Sequence, residues 1–393
     1  MTSSSPSTRL WEIDALRGLM LVLMTITHVP SRLTDPVGQP FGFVSAAEGF
    51  VLLSAFVSGL VYARIGHRAG PAAMRRAFWR RALTVYMCQA ATLLFLFTVI
   101  TALSLRIENP VVHKLLGFYL THPREGFVYS LLLVYQPALL DILPLYILFM
   151  LLSPWVMAWG MARGWRGPLA ASALLWALAQ FGFTPWIYEQ ARGLLRLPVP
   201  FDETGSFDTF AWQLLWVVGL ALGAGREAPD AKPLPITPRL ARGALGIATF
   251  VLLWRHLGPT GQAPFGDWQS MNLLFDKWRL GPLRLLDLAA IGIVAVHYGP
   301  ALARRLPRPR ALETLGRASL PVFCAHLVVV LLVLLAWGGD TQARPWWGDV
   351  LLMSAVFLSL YAVAWAVLRM ERRPPASGRA GPPAPPAPWA AAR

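Results

Sequence analysis

Apolar runs of about 20 residues, each long enough to cross a hydrocarbon core of about 30 Å, recur along this chain and are separated by short stretches holding most of its charges and prolines. The pattern places spans near 10–30, 44–64, 78–103, 137–160, 168–187, 209–225, 240–257, 281–300, 317–337 and 348–369. It predicts an all-α fold: a polytopic integral membrane bundle of about ten transmembrane helices. Residues 1–373 read as one transmembrane domain, because the segments between spans are too short to bury a core of their own. Residues 374–393, rich in Pro, Ala and Gly, read as a disordered tail.

Composition supports this reading. Apolar residues make up 56% of the 393 and charged residues 14%, with mean hydropathy +0.51; a soluble chain has no means of hiding so much apolar surface. The net charge of +15 would suggest nucleic acid if it were clustered on one soluble face, but its placement encodes topology instead. With the N-terminus inside, inner loops and tails carry 23 Lys or Arg against 11 outside, which sets both termini in the cytoplasm. No nucleic-acid partner is expected. Cys88 and Cys324 both fall in predicted spans, read as small buried apolar residues, and no spacing suggests a disulfide framework or a metal site. The first span lacks a small-residue cleavage site and is read as retained.

Ionisable groups inside the spans need a reason, since each costs a few kcal/mol at membrane depth unless it faces protein or water. The segment "RLWEIDALRGLMLVLMTITHVPSR" carries Asp14, Arg17 and His28. At 100° per residue these share one helix face, but Asp14 and His28 lie about 21 Å apart along the axis. Two polar levels follow. Asp14 and Arg17 have the (i, i+3) spacing of an ion pair near the cytoplasmic entrance; His28 lies toward the outer end before Pro30. The residues alone admit a structural pair and an interfacial histidine, or a base with a pKa near neutrality able to take a proton from an attacking hydroxyl. Glu48 opens the second span at a comparable level and is placed to orient the His28 imidazole, while small residues from Ser45 to Gly59 favour close helix packing.

Arg75, Arg76, Arg80 and Arg81 crowd the start of the third span. Such clusters commonly set topology and bind anionic lipid; the alternative is a site for the phosphates of a cytoplasmic cofactor. Asp141, flanked by Pro137 and Pro144, the (i, i+3) pair Arg284 and Asp287, and the lone His326 complete the intramembrane set and stand as substrate-binding candidates. Proline-broken helices with buried acids also suit a secondary transporter of a small anionic or sugar-like solute, although no repeated halves are visible.

The "WEIDALRG" opening with His28 downstream, "EGFVLLSAF", the arginines before the third span and "LGRASLPVFCAH" resemble the membrane acyltransferases of acyltransferase family 3. "RLWEIDALRGLMLVLMTITHVPSR" and "GQPFGFVSAAEGFVLLSAF" more narrowly resemble the OpgC branch, which succinylates osmoregulated periplasmic glucans. The resemblance runs over residues 9 to about 370. It implies a multi-pass protein of the bacterial inner membrane that transfers an acyl group from cytoplasmic acyl-CoA, succinyl-CoA foremost, to hydroxyls of a periplasmic glucan, with glucan-synthesis proteins as possible partners. Carried over, it implies a catalytic His28 supported by Asp14, Arg17 and Glu48, and arginines drawn from Arg76, Arg80 and Arg81 as cofactor-binding residues. The broader family's two arginines three apart have no match here, so the choice among the three stays open. A dicarboxylic acyl group would want a further cation near the outer level, for which Arg32, Lys277, Arg279 and Arg284 are candidates.

Overall fold

The computed structural model describes residues 11–107, 109–228, 230–258, 263–342 and 344–371. The proposed tail, residues 374–393, lies outside them. Among the described residues the fold is helical throughout, with a single isolated bridge between Phe41 and Val44 and no strand. The principal helices are α1 (Trp11–His28), α2 (Ala46–Phe95), α3 (Ile142–Arg163), α4 (Arg166–Gln180), α5 (Phe183–Leu195), α6 (Thr209–Arg226), α7 (Pro238–Leu257), α8 (Pro282–Arg305), α9 (Arg310–Arg317), α10 (Ser319–Trp337) and α11 (Trp346–Glu371). Among the described residues five helices qualify by length and composition to cross a membrane, or six if the α4–α5 pair forms one broken span.

Two segments depart from the expected spans. A straight helix over the 50 residues of α2 would be about 75 Å long, far beyond any bilayer core. It reverses instead at Gly70, whose φ of 82° and ψ of 168° interrupt the helix just before Pro71. The Tyr62 and Phe78 rings pack at a centroid distance of 3.8 Å, a contact that residues 16 apart reach only if the chain folds back. The connection expected between the second and third spans is therefore helical on both sides of one glycine. After Phe95 the second limb continues through a π turn, Leu96–Ile100, into Thr101–Ile107. The expected span at 168–187 is broken into α4 and α5, bent by 82° around Gly182 in the left-handed region.

Close packing is set by small residues. A Cβ on Gly223 would sit 2.0 Å from the Phe56 carbonyl oxygen and one on Gly219 2.5 Å from the Ala55 Cβ; Gly59 in turn faces the Leu220 carbonyl at 2.4 Å. The "GLALG" of α6 and the small face of α2 thus meet backbone to backbone, the arrangement small-xxx-small spacing favours in lipid. Elsewhere in the bundle, the amphipathic α9 lies against the start of α1. Gly316 abuts the Asp14 carbonyl and Gly18 abuts that of Leu312, with virtual Cβ distances of 1.7 and 1.9 Å.

Candidate functional site

His28 is the last residue of α1, and the chain beyond it returns to the interior at several points: Val29 is 0%, Ser31 1%, Phe43 1% and Val44 3% exposed, while Arg32, Leu33 and Phe41 between them are exposed. Non-helical backbone at such depth is tolerated where protein encloses it. The His28 Nδ1 lies 3.1 Å from Nε2 of His326, and the two rings stack at 5.1 Å. Phe323 packs against His326 from one turn earlier in α10. His28 is half-buried and His326 buried. His326 is the eighth residue of α10, with about 16 Å of helix still to follow, so the pair lies well inside the bundle.

Glu48 makes other bonds than the one the sequence suggested. Its Oε2 accepts from the Ser45 N–H at 3.1 Å and from the Ser45 hydroxyl at 2.5 Å, closing a capping box at the start of α2. Its Oε1 pairs with Arg284 Nη1 at 2.5 Å, both side chains being almost wholly buried. The expected Glu48–His28 contact is replaced by Glu48–Arg284 and His28–His326. The (i, i+3) pairing of Arg284 with Asp287 yields for the same reason. Arg284 turns to Glu48 and, through Nε, to the Phe275 carbonyl at 2.9 Å, while Asp287 accepts from the Phe43 N–H at 3.1 Å. Gly42, at φ 82°, allows that approach, since a Cβ there would fall 2.7 Å from Asp287 Oδ2.

At the opposite level, Arg17 donates to the Ser319 hydroxyl at 2.6 Å, tying α1 to the first turn of α10, and Asp14 is buried beneath Gly316. Ser319 and the two glycines of this contact were not singled out from the sequence. Of the cluster at the second limb of α2, Arg76 and Arg80 are exposed and Arg75 lies over Trp79. Arg81 is half-buried and within electrostatic range of Tyr62 and Cys324. Arg81 is thus the member turned toward the bundle, and Cys324 stands two residues before His326.

A set of loops interlocks around Asp141, Ser206 and Trp278. Asp141, buried at the start of α3, accepts from the Ser206 N–H at 3.0 Å; the Asp208 and Trp212 N–H groups reach the Trp278 carbonyl at 3.0 and 2.9 Å. The non-glycine residues in the left-handed region, Leu133, Leu139, Arg196 and Leu280, all lie in or beside these loops. Such backbone strain persists only where surroundings over-determine it, and it concentrates at functional sites. Lys277, in the same assembly, has its ammonium 4.6 Å from the Trp278 ring centre and 6.0 Å from that of Phe207, and burial holds it below the usual lysine range. It lies within electrostatic range of Glu48, Asp141 and His28.

Among the described residues no group of three or more His, Cys, Asp or Glu is arranged to hold a metal. The arrangement thus offers an imidazole pair with a basic level on one side and a rigid loop assembly on the other. No curated protein and no solved structure matches the chain. A family model does, described as OpgC protein, and it covers residues 9–372, the interval that holds every group of this site. The chain belongs to the OpgC protein family.

Proposed function

We propose that this protein is an O-acyltransferase of the bacterial inner membrane, moving a succinyl group from cytoplasmic succinyl-CoA to hydroxyls of a periplasmic glucan. The observation that carries the reading is the His28–His326 pair, 3.1 Å apart within the bundle between two polar levels. In this topology the helices form ten spans: α1, the two limbs of α2, α3, the broken α4–α5, α6, α7, α8, α10 and α11, with both termini cytoplasmic as the charge bias demands. Arg17, Arg81 and α9 then face the donor side, and the loops around Asp141, Ser206 and Lys277 face the acceptor side.

The chemistry follows from the pair. With the proton on Nδ1, His28 donates to Nε2 of His326 and keeps the Nε2 lone pair as a base. His28 Nε2 takes the proton of a sugar hydroxyl as that oxygen bonds to the thioester carbonyl carbon. The C–S bond then breaks, and the departing thiolate receives the proton from His28, leaving an ester and free CoA thiol. His326 touches neither reactant in this scheme; it is a positioning residue that fixes the tautomer and angle of the catalytic ring. Arg81, with Arg76 and Arg80 at the rim, supplies donors for the CoA phosphates, and Arg17 lines the way in. From Arg17 to His28 along α1 is about 16 Å, a distance comparable with a pantetheine arm.

The test is mass spectrometry of periplasmic glucans from cells with and without the protein, repeated with His28→Ala. Succinyl substituents are expected with the wild type and a loss of about 100-fold or more with the variant, at unchanged membrane abundance. Retained substitution in His28→Ala refutes the assignment, and solute movement through sealed vesicles without acyl modification would turn the reading to transport.

A further inference from the structure

Several cations of the outer loops already have partners. Arg284 is ion-paired with Glu48. Arg344 pairs with Asp349 at 3.0 Å and donates to the Pro30 carbonyl. Arg32 donates to the Arg344 carbonyl at 3.1 Å, and Arg279 lies by Asp208. Lys277 differs. Among the described residues its ammonium makes no hydrogen bond and no ion pair, although it is half-buried between Phe207 and Trp278. Taking an ammonium out of water without an ion pair is costly; contact with two aromatic faces and the more distant carboxylates of Glu48 and Asp141, already engaged by Arg284 and Ser206, return only part of that cost.

The turn that carries Lys277 is held from three helices. The Trp176 indole donates to the Leu280 carbonyl at 2.9 Å and the Gln180 amide to the Arg279 carbonyl at 2.7 Å, both from α4. From α6 the Trp212 indole holds the Trp278 carbonyl, and from α8 Arg284 holds that of Phe275. Within the turn, the Arg279 N–H donates to Asp276 Oδ1 at 2.6 Å. Each of these carbonyls flanks Lys277 in sequence. A free surface lysine has no need of such an anchored turn; a preorganised binding group does.

We propose that Lys277 selects the acyl group by receiving the terminal carboxylate of a dicarboxylic acyl donor. The inference rests on the acyltransferase reading and adds the residue that sets its donor class. In a succinyl thioester the free carboxylate lies three bonds beyond the reacting carbonyl carbon. An acyl group delivered to His28 therefore carries its negative charge to a cation near that ring, and Lys277, half-buried and within electrostatic range of His28, makes no ion pair among the described residues.

The test uses the full-length protein in proteoliposomes with a purified glucan acceptor and two donors, succinyl-CoA and acetyl-CoA. Replacing Lys277 by Met removes a charge-assisted hydrogen bond from one donor alone, so the succinyl-to-acetyl ratio of kcat/KM is expected to fall about tenfold to a hundredfold; Lys277→Arg is expected to keep much of the preference. A gain that misfolding cannot produce comes from Lys277→Glu, which is expected to favour β-alanyl-CoA, whose acyl group ends in an ammonium, over succinyl-CoA. If Lys277→Met lowers both donors alike or neither, or Lys277→Glu gains nothing with β-alanyl-CoA, the selectivity assignment is overturned while the transferase reading stands. Wild type that transfers from neither donor overturns both.

Discussion

Glu48 and Arg284 show how a residue flagged for chemistry is claimed by structure. Their 2.5 Å pair joins the start of α2 to the start of α8 with side-chain exposures of 0% and 2%, and the Ser45 backbone and hydroxyl occupy the other carboxylate oxygen. Removing one member leaves a buried charge uncompensated, so Glu48→Gln and Arg284→Met are each expected to lower unfolding free energy by about 3–5 kcal/mol. The double variant Glu48→Met with Arg284→Met recovers a large part, since neither charge then remains. Thermal unfolding in detergent measures all three. Lost activity in Glu48→Gln at unaltered melting temperature would place Glu48 in the reaction instead. The sequence marked both residues as unusual, yet their partnership crosses 236 positions and no local spacing announces it. Likewise His28 was legible because ionisable neighbours share its helix face. His326 stood alone in an apolar run, and only packing of α10 on α1 brings the rings together.

At the scale of elements, glycines mark the contacts that apolar periodicity leaves unspecified. The "D-x-x-R-G" opening reads as chemistry through Asp14 and Arg17, but its Gly18 is a packing residue, matched by Gly316 on α9. Gly316→Val places a side chain where a Cβ would already be 1.7 Å from the Asp14 carbonyl oxygen. Backbone must move, so a loss of about 1–3 kcal/mol is expected, with activity falling as α9 separates from α1 and Arg17 leaves Ser319. Gly70 makes the control. Its Cβ would meet nothing within 4 Å, and only the backbone geometry, φ 82° with ψ 168°, opposes Gly70→Ala, for a cost of about 1–3 kcal/mol. Stability losses of similar size are thus expected from both, and an equal loss of transfer from the two would show that the α1–α9 contact has no special weight. The apolar runs at 10–30, 209–225, 240–257, 281–300 and 317–337 anticipated α1, α6, α7, α8 and α10 to within a few residues, because run length alone sets a helix in lipid. The polar, Gly-Pro-containing stretch at 65–77 announced the turn between the second and third spans, though not that helix runs up to Gly70 from both sides; the bend at Gly182 escaped because no charged gap marks it.

For the whole molecule the ordering of sides decides whether one imidazole pair can serve the proposed cytoplasmic donor and periplasmic acceptor. The proposed orientation, drawn from charge bias, puts the Gly70 turn, α9 and both termini on the cytoplasmic side and the loops holding Asp141, Lys277 and Asp340 on the periplasmic side. Geometry is consistent with that division: the Arg17–Ser319 contact lies at the α9 end, while the Ser206, Trp278 and Phe43 contacts gather at the other. Single cysteines at Arg68 and Asp340, in a chain with Cys88 and Cys324 replaced, test it directly. In intact spheroplasts a membrane-impermeant maleimide is expected to label Asp340→Cys and to reach Arg68→Cys only after lysis. Labelling of both without lysis, or in the reverse order, would put the arginine level and the loop level on the wrong sides. A CoA-dependent reaction at His28 would then lack a route for its donor, because the positive-inside bias and the two-level arrangement along α1 stand or fall on the same orientation.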